Sequence, residues 1–255
     1  MYNTHVRHYA TAVILAALSA FSTSAAQAAE IKVLCSNGIR AVVDELVPRF
    51  ERATGHKAVL TFEPSTQLKK RIDAGEPFDL AVLTPALIDA AIREGKVVSD
   101  SRTVIARSGL GLSVRAGARK PDVGTVEAFT RALLAARSIT YAQQGASAAP
   151  FEALVEKLGI AAQLKPKYML RDTASQVGEA VANGTVEVGI APVSEILPVK
   201  GVDLVGAFPA DVQSYVVMVA GIGASAKEKA AAGSLVEFLT APVNLSVIKA
   251  KGMER

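Results

Sequence analysis

The stretch Ile31-Lys32-Val33-Leu34-Cys35-Ser36-Asn37-Gly38-Ile39 decides how the rest of the chain is read. Its first half is a short apolar run of strand type. From Ile39 onward Val42, Val43, Leu46 and Phe50 recur at three- and four-residue spacing, the period of an amphipathic helix. A strand therefore delivers Ser36 and Asn37 to the start of a helix, where backbone N–H groups lack intrahelical partners and carry the positive end of the dipole. A small hydroxyl residue followed by glycine suits an anion there. The alternative is that Ser36 or Asn37 simply caps the helix.

The same arrangement returns further along the chain. A second strand, residues 58–62, precedes Pro64-Ser65-Thr66-Gln67 and a helix that stops at Gly75. A third, residues 78–83, precedes Thr84-Pro85 and a helix that stops at Gly95. Residues 102–115 read as two β-rich stretches around Ser108-Gly109-Leu110-Gly111, a crossover and not a dinucleotide loop, since no helix follows the glycines. A helix over 126–136 and a strand over 139–142 lead to Gly145-Ala146-Ser147 and a helix over 148–158. A brief strand at 168–170 leads to Arg171-Asp172-Thr173-Ala174-Ser175 and a further helix, then a strand over 186–191 closed by Pro192. Residues 214–220 alternate as a strand, and two helices finish the chain.

Strands alternating with helices at this spacing predict open α/β sheets, which bind ligands at the carboxyl ends of their strands. Residues 111–206 form a second α/β unit inserted into a first made of 29–110 and 207–255, with crossovers near 103–113 and 203–215. The hydroxyl-bearing helix starts Ser36, Ser65, Thr84, Ser147, Thr173 and Ser175 would then line both walls of one cleft. Oriented dipoles hold an ionised oxyanion without a lysine or arginine, each helix end contributing about 0.3–1 kcal/mol exposed and up to ~2 kcal/mol partly buried.

Composition narrows the function classes. Residues 1–28 have the polar start with Arg7, the apolar middle too short to span a bilayer, and the Ala26-Gln27-Ala28 end of a secretory signal peptide. The chain has 28 basic and 24 acidic residues; removal of Arg7 with that segment leaves a net charge of +3. The basic residues are scattered without interleaved aromatics, which argues against nucleic acid. The single cysteine, Cys35, excludes an intrachain disulfide and reads as a small buried residue.

In its export signal, the strand-Ser-helix opening at Ser36, Pro64-Ser65-Thr66-Gln67-Leu68 followed by Gly75-Glu76-Pro77-Phe78-Asp79, the strand Val186-Glu187-Val188-Gly189-Ile190 and the tail Lys249-Ala250-Lys251-Gly252-Met253, the sequence resembles the molybdate-binding proteins of ABC importers. The resemblance covers essentially the whole mature chain. It implies a two-lobed α/β periplasmic-binding-protein fold, each lobe a mixed sheet flanked by helices and joined by two crossover segments. It also implies a periplasmic monomer without cofactor that holds molybdate or tungstate and delivers it to an ABC permease in the inner membrane. Carried over by position, it implies that the hydroxyls and amides of Ser36 and Ser65 hold the anion from the first lobe and the amides near Ala146 and Ala174 from the second. Together with the helix starts and their neighbours, the candidate site residues are Ser36, Asn37, Ser65, Thr66 and Thr84 on the first wall and Ala146, Ser147, Thr173, Ala174 and Ser175 on the second. Two positions depart from the pattern: Asn37 stands where those proteins have a second small hydroxyl residue, and Pro192 where they tend to have a ligand-donating tyrosine. A small organic carboxylate, or a role as a periplasmic sensor, is the alternative.

An enzyme is the rival from another class. His56, the one histidine outside the signal segment, lies in a turn at the wrong end of the first strand-helix unit, which disfavours a Ser or Cys triad. No His/Cys cluster or dense carboxylate loop points to a metal. Arg171 reads either as a bidentate partner for a carboxylate ligand or as a solvated residue paired with Asp172 or Glu179.

Overall fold

The structure is a computed structural model that describes residues 28–255. The expected signal peptide falls on residues 1–27, outside the described residues, and on Ala28. The chain opens with β1 (Glu30–Ser36), α1 (Arg40–Thr54), β2 (Lys57–Glu63), α2 (Ser65–Asp73), β3 (Leu80–Leu83) and α3 (Pro85–Arg93). β4 (Thr103–Arg115) leads out to α4 (Val126–Ala135), β5 (Ile139–Thr140), α5 (Ala148–Lys157), α6 (Ala161–Leu164) and α7 (Ala174–Ala182). β6 (Val188–Pro192), α8 (Val193–Ile196) and β7 (Val202–Ala207) follow, and the chain returns through β8 (Tyr215–Ile222) to α9 (Lys229–Thr240) and α10 (Leu245–Ala250).

β1 is buried on one face along its length and on the other only in its C-terminal half, beyond the exposed Lys32. Ile31, Val33 and Cys35 pack into the core shared with α1 and α9, whereas Leu34 joins Leu68, Ile72 and Ile88 of α2 and α3. The predicted stripe of α1 is buried at Val42, Val43, Leu46 and Phe50. That helix stops where Gly55, at φ 77°, donates its N–H to the Glu51 carbonyl at 2.9 Å, a left-handed end that glycine adopts without strain. Full burial of a Phe or Leu side chain contributes about 1.5–3 kcal/mol, so packing carries the stability of a chain with no disulfide.

The sheet order is β2-β1-β3-β8-β4-β6-β5, with β7 also on β4. β1 runs parallel to β2 and β3, while β8 is antiparallel to β3 and β4. Residues 103–109 of β4 pair with β8 in one lobe, and residues 110–115 pair with β6 and β7 in the other. Where the sequence read as two β-rich stretches, there is one continuous strand shared by both lobes. Gly109 and Gly111 do not turn the chain; they allow close approach. A Cβ on Gly109 would lie 2.9 Å from Gln213 Nε2, and one on Gly111 3.0 Å from Val193 Cγ2.

The second connection, between β7 and β8, is stitched to that strand. The Gln213 side chain accepts from the Leu110 N–H at 2.8 Å and donates to the Leu110 and Phe208 carbonyls at 3.1 and 3.3 Å. Phe208 packs on Phe129 with ring centroids 4.6 Å apart, anchoring the connection in the core of the inserted lobe. The strand expected at residues 168–170 is reduced to isolated bridges from Tyr168 to Ile139 and from Arg171 to Ala142, because β5 itself is only two residues long.

Candidate functional site

A cavity of about 120 Å³ lies between the lobes. Ser36, Asn37, Ser65, Thr66 and Thr84 line it from the first lobe, and Ala146, Thr173 and Ala174 from the second. Eight of the ten expected positions thus meet there. Ser147 does not: it is buried beneath the turn closed by the Ala148 N–H and the Gly145 carbonyl. Ser175 does not either. One residue past Ala174 is a rotation of about 100° around α7, and it lines an adjoining cavity of about 250 Å³ instead.

The local chemistry leaves donors unspent. The N–H groups of Ser65 and Thr66 stand ahead of the first bond of α2, from the Gln67 N–H to the Pro64 carbonyl. Ala174 stands likewise ahead of the bond from Val177 to Thr173 in α7. Thr173 is a true cap: its hydroxyl accepts from the Gln176 N–H at 3.3 Å, and the Gln176 side chain reaches back to the Thr173 N–H. Ser36, Thr84 and Ser147 make no such cap bond. Instead the Ser65 hydroxyl donates to Ser36 Oγ at 2.9 Å, so the Ser36 proton is free to point elsewhere and the relay polarises it.

Hydrogen bonds cross between the lobes at the rim and again deeper in. Gln67 Nε2 donates to Gln144 Oε1 at 3.3 Å at the rim. Deeper, the Ser194 hydroxyl of α8 donates to the Gly38 carbonyl at 2.9 Å, and its N–H donates to Ser108 Oγ at 3.1 Å on β4. Ser108 in turn donates to the Gly252 carbonyl at 2.9 Å, tying the C-terminal segment into the same chain.

Glu195 and Asp172 also line the cavity, and no lysine or arginine does among the described residues. The sequence reading missed Glu195. Its carboxyl lies beside Gly38, where an added Cβ would be 3.6 Å from Oε1 and 2.8 Å from the Met218 methyl. Loss of hydration pushes the Glu195 carboxyl from an ordinary 4.5 up to about 7, with no cation offsetting it. A signal was available: Glu195 is the sole charged residue in the run from Val188 to Val199.

The other candidates fall elsewhere. Arg171 does not line the cavity and pairs with neither Asp172 nor Glu179 among the described residues, because its guanidinium donates to the Met169 and Leu170 carbonyls at 3.0 and 2.9 Å. His56 accepts from the Ala29 N–H at 3.1 Å, away from the cavity. Cys35 is fully buried, and burial pushes its thiol far up, out of the thiolate range.

Over residues 31–254 the sequence matches the family described as bacterial extracellular solute-binding protein. It is 30% identical over 239 residues to the molybdate-binding protein ModA of Azotobacter vinelandii, covering 89% of this chain and 91% of that one. It is also 28% identical over 232 residues to an aconitate isomerase of a Pseudomonas species, covering 88% and 87%. Among solved structures, the Azotobacter vinelandii periplasmic molybdate-binding protein superposes with a TM-score of 0.74 at 21% identity, covering 88% of this chain and 99% of that one. The sulfate-binding protein SubI of Mycobacterium tuberculosis superposes at 0.73 with 16% identity, covering 88% and 86%.

Proposed function

Because the chain belongs to the bacterial extracellular solute-binding protein family, we propose that it is the exported capture subunit of an ABC importer. It works as a monomer that encloses one small anion between its lobes and presents the closed form to a permease in the inner membrane. The observation that carries this reading is the convergence of idle donors, the Ser36 and Thr84 hydroxyls and the free N–H groups of α2 and α7, on one cavity from both lobes. A ligand shifts an open–closed balance only by its differential affinity for the closed form, and donors divided between two walls supply that difference.

The ligand class this site favours is a small organic acid, with molybdate or tungstate as the competitor. By a measure on which one water takes about 10–15 Å³, a cavity of about 120 Å³ exceeds what a five-atom tetrahedral oxyanion needs. Pro192, buried at the end of β6, also has neither an N–H nor a hydroxyl to give where the molybdate binders tend to have tyrosine. The test is a thermal-shift panel of molybdate, tungstate, sulfate, phosphate and small mono-, di- and tricarboxylates. Ligand at a hundred times its Kd adds about 2.7 kcal/mol, or roughly 5–11 °C for a chain of this size. The variant carrying both Ser36→Ala and Ser65→Ala is expected to stay folded and lose about 2–4 kcal/mol of affinity for whichever anion binds. Unchanged affinity would remove the site, and a response to molybdate and tungstate alone would restore the tetrahedral ligand.

One observation favours a second reading. Glu195, titrating near neutrality in a sheltered anion site, has the properties of a general acid–base group, and one relative is an aconitate isomerase. Moving a double bond in an unsaturated acid takes a proton off one carbon and returns one to another. Conversion of one aconitate isomer to the other, followed by chromatography, would establish turnover; binding without conversion leaves capture as the function.

A further inference from the structure

The anion reading above leaves Glu195 unexplained, and the inference that follows rests on that reading. A carboxyl in the wall of an anion cavity is unfavourable unless it does something for the ligand. Glu195 is carried there by α8, held in place by the Ser194 bonds to Gly38 and Ser108, and its carboxyl lies beside Gly38. It also lines the adjoining cavity, together with Asn37, Thr173 and Ala174, so it stands on the partition between the two.

We propose that Glu195 makes the bound anion share one proton with the protein. A single proton sits between the Glu195 carboxyl and the nearest ligand oxygen, so the cavity prefers anions that bring their own donor, such as a 2-hydroxy acid or hydrogen phosphate. It takes a fully ionised oxyanion only when Glu195 itself has picked up a proton. Two negative oxygens in contact cannot both stay ionised in a poorly hydrated site, which is why paired carboxyls keep one proton between them. With a hydroxyl-bearing ligand the carboxylate accepts; with sulfate or molybdate the carboxylic acid donates.

The surrounding charges do not offset this. Asp172 is the other carboxyl in the cavity and has the same sign. Arg40 and Asp44, facing Glu195 across the adjoining cavity, pair with each other at 3.4 Å. On the side of β4 and the C-terminal segment, Arg107 pairs with Glu254 at 2.9 Å and Lys251 with Glu45 at 2.8 Å. No unpaired cation is left to neutralise Glu195 among these groups.

The experiment is isothermal titration of the unmodified mature protein with sulfate, molybdate, malate and succinate between pH 6 and 9, each in two buffers of different ionisation enthalpy. Malate carries the hydroxyl that succinate lacks. Sulfate or molybdate affinity is expected to be flat below pH 7 and to fall about tenfold per pH unit above it, with uptake of close to one proton. Malate is expected to bind more tightly than succinate, with a shallower pH dependence. In Glu195→Gln, which keeps the shape, the pH slope and the proton uptake should vanish and the preference for malate over succinate should shrink. Anion binding with no proton uptake and the same pH profile in Glu195→Gln overturns this proposal while leaving the anion site standing. Binding of no probe at any pH overturns the anion reading and this proposal with it.

Discussion

At the scale of single residues, the cavity is assembled from side chains whose ordinary duties have been lifted. Ser36 and Thr84 occupy cap positions without capping, whereas Thr173 caps in full, so hydroxyls that look alike in sequence differ in what they have left to offer. Glu195 carries a cost that can be read without a ligand. Its carboxyl titrates near 7 in the folded protein and near 4.5 when exposed. The folded state holds that proton more tightly, so the associated stability is fully present below about pH 4.5 and is lost as pH rises through 7. The loss approaches about 3 kcal/mol, less where water reaches the half-buried carboxyl. In thermal melts, Glu195→Gln is expected to match the parent at pH 4.5 and to exceed it by several degrees at pH 8. Asp79 is a structural counterpart: its buried carboxylate accepts from the N–H groups of Lys32, Lys227 and Glu228, a stitch between β1, β3 and the approach to α9. The sequence shows a carboxylate before a strand but not that three backbone donors from distant segments end on it.

At the scale of elements, much was legible. The strand-then-helix units of the first lobe appear in the positions their apolar periods predict, because each period also describes the face that is buried. What escaped was the shared strand β4. The segment reads as a crossover of two β-rich stretches around two glycines, yet it is one unbroken strand and the glycines are the points where Gln213, Leu204 and Val193 come closest; a contact from over eighty residues away leaves no mark on local pattern. Ser147 and Ser175 were misplaced for a related reason. Periodicity fixes that a helix starts, but a single residue of rotation decides which cavity its side chain meets. Replacing Gln213 with alanine strips the Leu110 carbonyl and N–H of their side-chain partners, leaving the N–H only the Ser214 carbonyl at 3.1 Å. A loss of about 1–3 kcal/mol in chemical denaturation is expected, together with faster amide exchange at Leu110.

At the scale of the whole molecule, the lobes are joined by one strand, one stitched connection and the Gly252–Ser108–Ser194–Gly38 series of hydrogen bonds, while the rim has the bond from Gln67 to Gln144. Replacing both glutamines with alanine removes that rim bond, a neutral contact that contributes about 0.5–1.5 kcal/mol. The expected result is a two- to tenfold weaker anion affinity and a larger radius of gyration by small-angle scattering without ligand, with the unfolding free energy nearly unchanged.

The place of β8 has a further consequence, in time. It is an interior strand of the first lobe's sheet, between β3 and β4, yet about 130 residues separate it from β3 in the chain. At 5–20 residues per second, a ribosome that has finished β3 needs roughly 7–25 s to reach β8. Throughout that interval the sheet has a gap where an interior strand belongs, and the lobe cannot lock. The first lobe is therefore left unlocked until nearly all of the chain has been made, which is the condition a lobe must be in to be threaded through a membrane before it folds.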